Sequence, residues 1–139
     1  MYYYARFLQD PVSKAYVVSF RDIPEALTQG GTYEEAKKSA KNALITAIEF
    51  YFEDMQEIPK PSAPQEGEIE IKMPLNIWAK VNLLNTLIET GTTQAELARK
   101  MGKTRQYIHR LIDLHHNTKI DTIDSALEAL GKRGVVNWS

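Results

Sequence analysis

The sequence predicts an α+β chain: a small β-β-β-α-β module followed by an all-α module. Three observations predict it. The first half carries short aromatic and β-branched runs that alternate with polar residues, around one long helical pattern. The second half carries apolar residues at three- and four-residue spacing, punctuated by glycines. The charge divides at the same place. Residues 1–73 hold 8 Lys and Arg against 12 Asp and Glu, a net of −4, and residues 74–139 hold 9 against 6, a net of +3. We place the boundary at Pro74, giving modules 1–73 and 74–139, and the basic module is the candidate for nucleic acid.

The first module opens on YYYARFL and AYVVSF, two strands joined by a turn at Asp10-Pro11. Tyr16, Val18 and Phe20 share one face of the second strand. Pro24 argues for an edge position, and Ala26–Gln29 is read as a short third strand ended by Gly30-Gly31. Thr32 and Glu35 form a capping box that starts a helix. Ala36, Ala40, Ala43, Leu44, Ala47, Ile48 and Tyr51 make its apolar face. Phe50, Tyr51 and Phe52 are consecutive, so about 100° separates each from the next and they cannot all face one sheet. Either the core wraps around the helix end, or Phe50 and Phe52 serve a partner surface. Pro59, Pro61 and Pro64 mark residues 59–68 as a Pro-rich loop, and EIEIKM alternates as a last strand with Ile69, Ile71 and Met73 on one face.

The second module begins with Ile77, Val81, Leu84, Leu87 and Ile88 at helical spacing, closed by Gly91. Thr93 and Glu96 form another capping box, with Leu97, Ala98 and Met101 as the inner face of the helix that follows. Gly102 stops that helix, since glycine takes the left-handed conformation at little cost. Thr104 caps the next one, which buries Ile108, Leu111 and Ile112. Asp121 is expected to cap a last helix with Ile123, Ala126, Leu127 and Leu130 inside, ended by Gly131. Two capped helices separated by three or four residues form a helix-turn-helix.

The polar residues of that motif carry the functional reading. Gln94 stands at the first turn of its helix, where free backbone amides favour a phosphate. Lys103, Thr104, Arg105, Gln106, Tyr107, His109 and Arg110 surround the narrow apolar stripe of the second helix, and no acid lies between Gly102 and Ile112. Arg105 and Gln106 occupy the end that reaches base edges in this docking mode. Arginine pairs with guanine O6 and N7, and glutamine with adenine N6 and N7. The alternative is an ordinary solvated helix face.

Gln94, Glu96, Leu97, Ala98, Gly102, Ile108 and Leu111 resemble the Cro/repressor-like helix-turn-helix family. That resemblance implies that Gln94 touches phosphate and that Arg105 and Gln106 enter the major groove. HHNTKID departs from the usual continuation of that family. With the stretches FRDIPEALTQGGTYEEAKKSAKNAL, FYFEDMQEIPKPS and TKIDTIDSALEALGK, nearly the whole chain resembles HicB-type antitoxins of bacterial toxin–antitoxin pairs. The resemblance implies that residues 1–73 form a degenerate ribonuclease-H-like domain that binds and blocks a HicA-type mRNA-cleaving toxin. It implies that residues 74–139 bind double-stranded operator DNA and repress the pair's own operon. An acidic module suits a basic RNA-handling partner, because complementary charge speeds encounter. Asp22, Phe50, Phe52 and Trp138 are candidate contacts for the toxin or for a second copy. Trp138 equally fits its own domain's core.

An active nuclease needs carboxylates converging on metal ions. Asp22 has no acid clearly beside it, and Glu34 and Glu35 are first-turn helix acids favoured by the helix dipole. We therefore expect no enzyme, no metal and no cofactor. His115 and His116 are adjacent and point apart, so they do not pair as ligands. A repressor with a small-molecule-sensing N-terminal module remains the alternative, although no ligand motif marks that half. The chain has no cysteine, which excludes disulfides and fits a reducing cytosol. No apolar run reaches the roughly 18 residues that cross a bilayer and no signal-peptide pattern opens the chain, so we expect a cytoplasmic protein. Readers of this type bind palindromes as dimers, which makes a homodimer or higher homo-oligomer the expected assembly.

Overall fold

Four strands and five helices occupy residues 1–134, the residues described by the structure, a computed structural model. In chain order they are β1 (Tyr2–Gln9), β2 (Tyr16–Phe20), β3 (Leu27–Gly30), α1 (Tyr33–Glu53), β4 (Glu68–Lys72), α2 (Leu75–Thr90), α3 (Gln94–Met101), α4 (Arg105–Leu111) and α5 (Ile120–Ala129). The order is β-β-β-α-β followed by helices, an α+β chain. Trp138 lies outside the described residues.

The strands form one antiparallel sheet in the order β3-β2-β1-β4. Asp10 builds the β1–β2 turn, its carboxylate accepting from the Val12 and Ser13 amides at 2.8 and 3.2 Å. The register sets Phe7 opposite Val18 and Tyr3 opposite Ile71. Tyr3, Ala5, Val18, Phe20 and Ile71 are buried, with Ala36, Ala40, Leu44 and Ile48 of α1. The other face of the sheet leaves Leu8 60% and Val17 43% exposed, and these two are cross-strand partners. β3 starts one residue later than the sequence predicts and ends at Gly30, which pairs with Tyr16. A Cβ added at Gly30 would lie 2.5 Å from the Ala36 amide nitrogen, so the backbone of α1 packs where only glycine fits.

The start of α1 follows its cap. Thr32 Oγ1 accepts from the Glu35 amide, and the Glu35 carboxylate reaches back to the Gly31 amide rather than to that of Thr32. At the far end the three consecutive aromatics separate. Phe50 is 59% exposed, whereas Tyr51 and Phe52 are each 8% exposed. This corrects the reading of Phe52 as exposed partner surface. Tyr51 donates to the Glu25 carboxylate at 2.8 Å, which together with burial raises its pKa to about 12.

The loop after α1 is held by side chains rather than by regular structure. Tyr3 donates to the Pro59 carbonyl at 2.6 Å, and burial pushes its phenol well above the ordinary tyrosine range. Asp22 accepts from the Ser62 amide and hydroxyl, both at 2.8 Å. Arg21 spans the same loop, donating to the Ala63 carbonyl and to Glu68, each at 2.9 Å. Three prolines and this clasp leave the segment few alternative paths.

The contacts divide the chain into two compact units: residues 1–51 with 58–73, and residues 52–57 with Pro74 onward. Residues 52–57, which a cut at Pro74 leaves with the sheet, group with the helices. In the helical unit Ile77, Val81, Leu84, Leu87, Leu97, Ala98, Ile108, Leu111, Ile123 and Ala126 are buried. Gly91 ends α2 at φ 64° and Gly102 ends α3 at φ 65°, both in the left-handed region. Asp121 falls in the first turn of α5 rather than at its cap; Lys119 occupies the cap position and makes no side-chain cap bond. A first-turn acid still complements the helix dipole there.

Candidate nucleic-acid interface

α3, the turn Gly102-Lys103-Thr104 and α4 form the motif. Thr93 Oγ1 accepts from the Glu96 amide at 3.1 Å, and the Glu96 carboxylate takes the Thr93 amide in return, completing the capping box. Thr104 Oγ1 accepts from the Tyr107 amide at 3.1 Å and caps α4. Leu97, Ala98, Ile108 and Leu111 are each 4% exposed or less, so the two helices are held by a small dry contact.

The polar side chains of α4 and of the turn before it face outward. Lys103, Thr104, Arg105, Gln106, His109 and Arg110 are exposed and Tyr107 is half-buried. The Lys103 ammonium stands 5.2 Å from the centre of the Tyr107 ring, a cation–π approach that orients both. Arg105 and Gln106 are the first two residues of α4, the end that meets base edges in helix-turn-helix docking. Gln94 is half-buried at the first position of α3. The Thr104 hydroxyl is committed to its cap bond, so its role is to set the start of α4. The structure thus brings together Gln94, Lys103, Thr104, Arg105, Gln106, Tyr107, His109 and Arg110 on one motif.

One residue of this region escaped the sequence reading. Lys80 of α2 is 1% exposed. Its ammonium donates to the carbonyls of Asp113 and His116 at 2.6 Å and of Arg110 at 3.2 Å. These groups lie at the end of α4 and in the loop that follows. Burial lowers the Lys80 pKa and the Asp113 carboxylate opposes that shift. The signal was present in the pattern: Lys80 is three residues from Ile77 and four from Leu84, inside the apolar stripe of α2.

The other predicted residues fall elsewhere. The Asp22 carboxylate is committed to Ser62, with its side chain 15% exposed. Phe50 and Leu27, 59% and 65% exposed, border one shallow groove between the edge strand β3 and α1. His115 and His116 do not converge: the His115 amide donates to Asp113, and the His116 ring bonds Thr118 at 3.1 Å. No group of His, Cys, Asp or Glu among the described residues is arranged to hold a metal ion. No helix among them is long and apolar enough to cross a membrane.

A capped helix pair presenting a basic, acid-free second helix defines a helix-turn-helix DNA-binding protein. Comparison with known proteins agrees: a family model described as a helix-turn-helix matches residues 86–135. A second, described as the HicB-like antitoxin of a bacterial toxin-antitoxin system, matches residues 2–82. The chain is 53% identical over 132 residues to Antitoxin HicB 2 of Photorhabdus laumondii, covering 95% of this chain and 92% of that one. It is 54% identical over 117 residues to Antitoxin HicB of Escherichia coli K12, covering 84% and 85%. Antitoxin HicB of Pseudomonas fluorescens is 41% identical over 117 residues, covering 84% and 80%. The chain belongs to the HicB-like antitoxin family, and it carries a helix-turn-helix DNA-binding domain. These relatives are named as antitoxins, not as enzymes.

Proposed function

We propose that this antitoxin binds and inhibits a cognate HicA-type, mRNA-cleaving toxin and represses its own operon as a homodimer or higher homo-oligomer on operator DNA. The helical unit reads the operator. Gln94 and the Lys103 ammonium contact phosphates, and Arg105 and Gln106 read base edges in the major groove. The observation that carries this half is the exposed face of α4 and the turn before it, which holds Lys103, Arg105, His109 and Arg110 and no acid. On this reading the protein acts in the cytoplasm, where operator DNA is reached.

The sheet unit takes the toxin. The groove beside β3, with exposed Leu27 and Phe50, supports this placement. Exposed apolar anchors that become buried at the centre of a contact commonly carry much of its binding energy. The test is capture of the product of the adjacent gene by the full chain. Leu27→Glu together with Phe50→Glu abolishes capture and leaves DNA binding intact. Undiminished capture by that variant removes the groove from the interface.

A further inference from the structure

Lys80 is enclosed, yet nothing in the apolar packing calls for a charge at its place in α2. Ile77, Val81 and Leu84 on the same stripe are apolar and buried, and an apolar side chain there would avoid the cost of desolvating an ammonium. What the ammonium provides is three donors, matched by three carbonyls: Arg110 at 3.2 Å, Asp113 at 2.6 Å and His116 at 2.6 Å. The last carbonyls of a helix have no partners within it and carry partial negative charge, so a cation is favoured there. Here one cation gathers the last turn of α4 and two points of the loop behind it.

This matters because α4 is short. Seven residues make two turns, and a helix of that length does not hold its shape or direction by itself. Ile108 and Leu111 anchor one side, and Thr104 fixes the start. The far end has Lys80. Only Ile112 separates the end of α4 from Asp113, so these bonds set the roll of the helix and the path of residues 112–119. Exposed His115, Asn117 and Lys119 lie on that path.

We propose that Lys80 is a positioning residue for DNA reading, which rests on the operator-binding function proposed above. It touches no DNA. It fixes the attitude of α4, so that Arg105 and Gln106 reach base edges while the loop holds its course. Misplacing the helix spoils base contacts, which demand bidentate geometry, more than it spoils phosphate contacts, which tolerate shifts. Lys80 therefore acts on specificity: the ratio of operator affinity to random-DNA affinity depends on it, and the salt dependence of random-DNA binding does not.

The chain has no cysteine, so a single one can be alkylated cleanly. Lys80→Cys is unfolded, alkylated and refolded in two forms: aminoethylated, which restores an ammonium at lysine length, and propylated, a neutral analogue of the same length. Lys80→Met accompanies them. Folding is followed by circular dichroism, and affinity is measured on the gene's own upstream DNA and on random DNA over a salt series. The proposal expects Lys80→Met and the propyl form to fold and to lose roughly tenfold or more of the operator-to-random ratio, the scale of one lost base contact. Their salt slope on random DNA stays unchanged, and the aminoethyl form regains the ratio. A folded neutral form with the wild-type ratio overturns the proposal, as does an aminoethyl form that folds without regaining it. Neutral forms that do not fold assign Lys80 to folding and overturn it too. If the wild type does not distinguish its upstream DNA from random DNA, operator reading itself fails, and this outcome is distinct from the others.

Discussion

Arg105 and Gln106 are the residues to which we assign base reading. Both are exposed in the first turn of α4, and neither serves the core. Replacing either by alanine costs operator affinity about 1–3 kcal/mol and relaxes discrimination at one base pair, with the fold unchanged. Binding to an operator mutated at single positions, measured for each variant, locates that base pair; equal losses on every sequence assign the side chain to phosphate instead. The clasp at the Pro-rich loop makes a second prediction, in pH. Bonds from Arg21 and from the Gln65 amide hold the Glu68 carboxyl below its ordinary value of 4.5. The folded pKa is depressed, so the stabilisation is present above pH 4.5 and is lost as pH falls through the lowered value. Glu68→Gln flattens the acid limb of a stability-against-pH profile. An unchanged limb contradicts a stabilising role for the pair. Much at this scale was legible in advance. Thr93, Glu96, Gly102 and Thr104 act within three or four residues of themselves, so local rules find them. Lys80 and Asp22 act on groups 30 and 40 residues away or more, and no local rule reaches that far.

The elements follow from caps and periodicity, with departures where packing overrides pattern. α3 runs from its capping box to a left-handed glycine. Thr93→Ala removes the hydroxyl that accepts the Glu96 amide and costs the helical unit about 1 kcal/mol, read as a lowered thermal midpoint. β3 shows the limit of pattern reading. Its four residues carry little alternation, and its position one residue late follows from pairing with β2, which sets Leu27 opposite Ser19. Gly30 ends that strand because α1 passes too close for a side chain. Gly30→Ala therefore lowers the midpoint of the sheet unit by displacing α1; a midpoint as in the wild type means the helix yields freely. The aromatic run at the end of α1 could be divided only by the structure. Periodicity states that Phe50, Tyr51 and Phe52 diverge, but which one reaches solvent depends on what surrounds the helix end.

The molecule joins a sheet unit and a helical unit, and we assign each its own binding task. The proposed DNA reader lies on α3 and α4, and the groove proposed for the toxin lies on β3 and α1. The change of charge near Pro74 was visible in composition alone, whereas the grouping of residues 52–57 with the helical unit was not, since no motif marks it. Binding at the two surfaces is linked if each alters assembly of the other, and linkage is reciprocal. The central claim is that one chain holds both a DNA reader and a toxin-binding surface. The most direct test is a gel shift on the DNA upstream of the gene. It compares wild type with Arg105→Ala plus Gln106→Ala, with and without the adjacent gene's product. The wild type is expected to shift that DNA, the double variant is expected not to shift it while still capturing the adjacent product, and this product is expected to supershift the wild-type complex. A wild type that captures the product but shifts no DNA contradicts the reader, leaving the exposed face of α4 as scaffold or subunit contact.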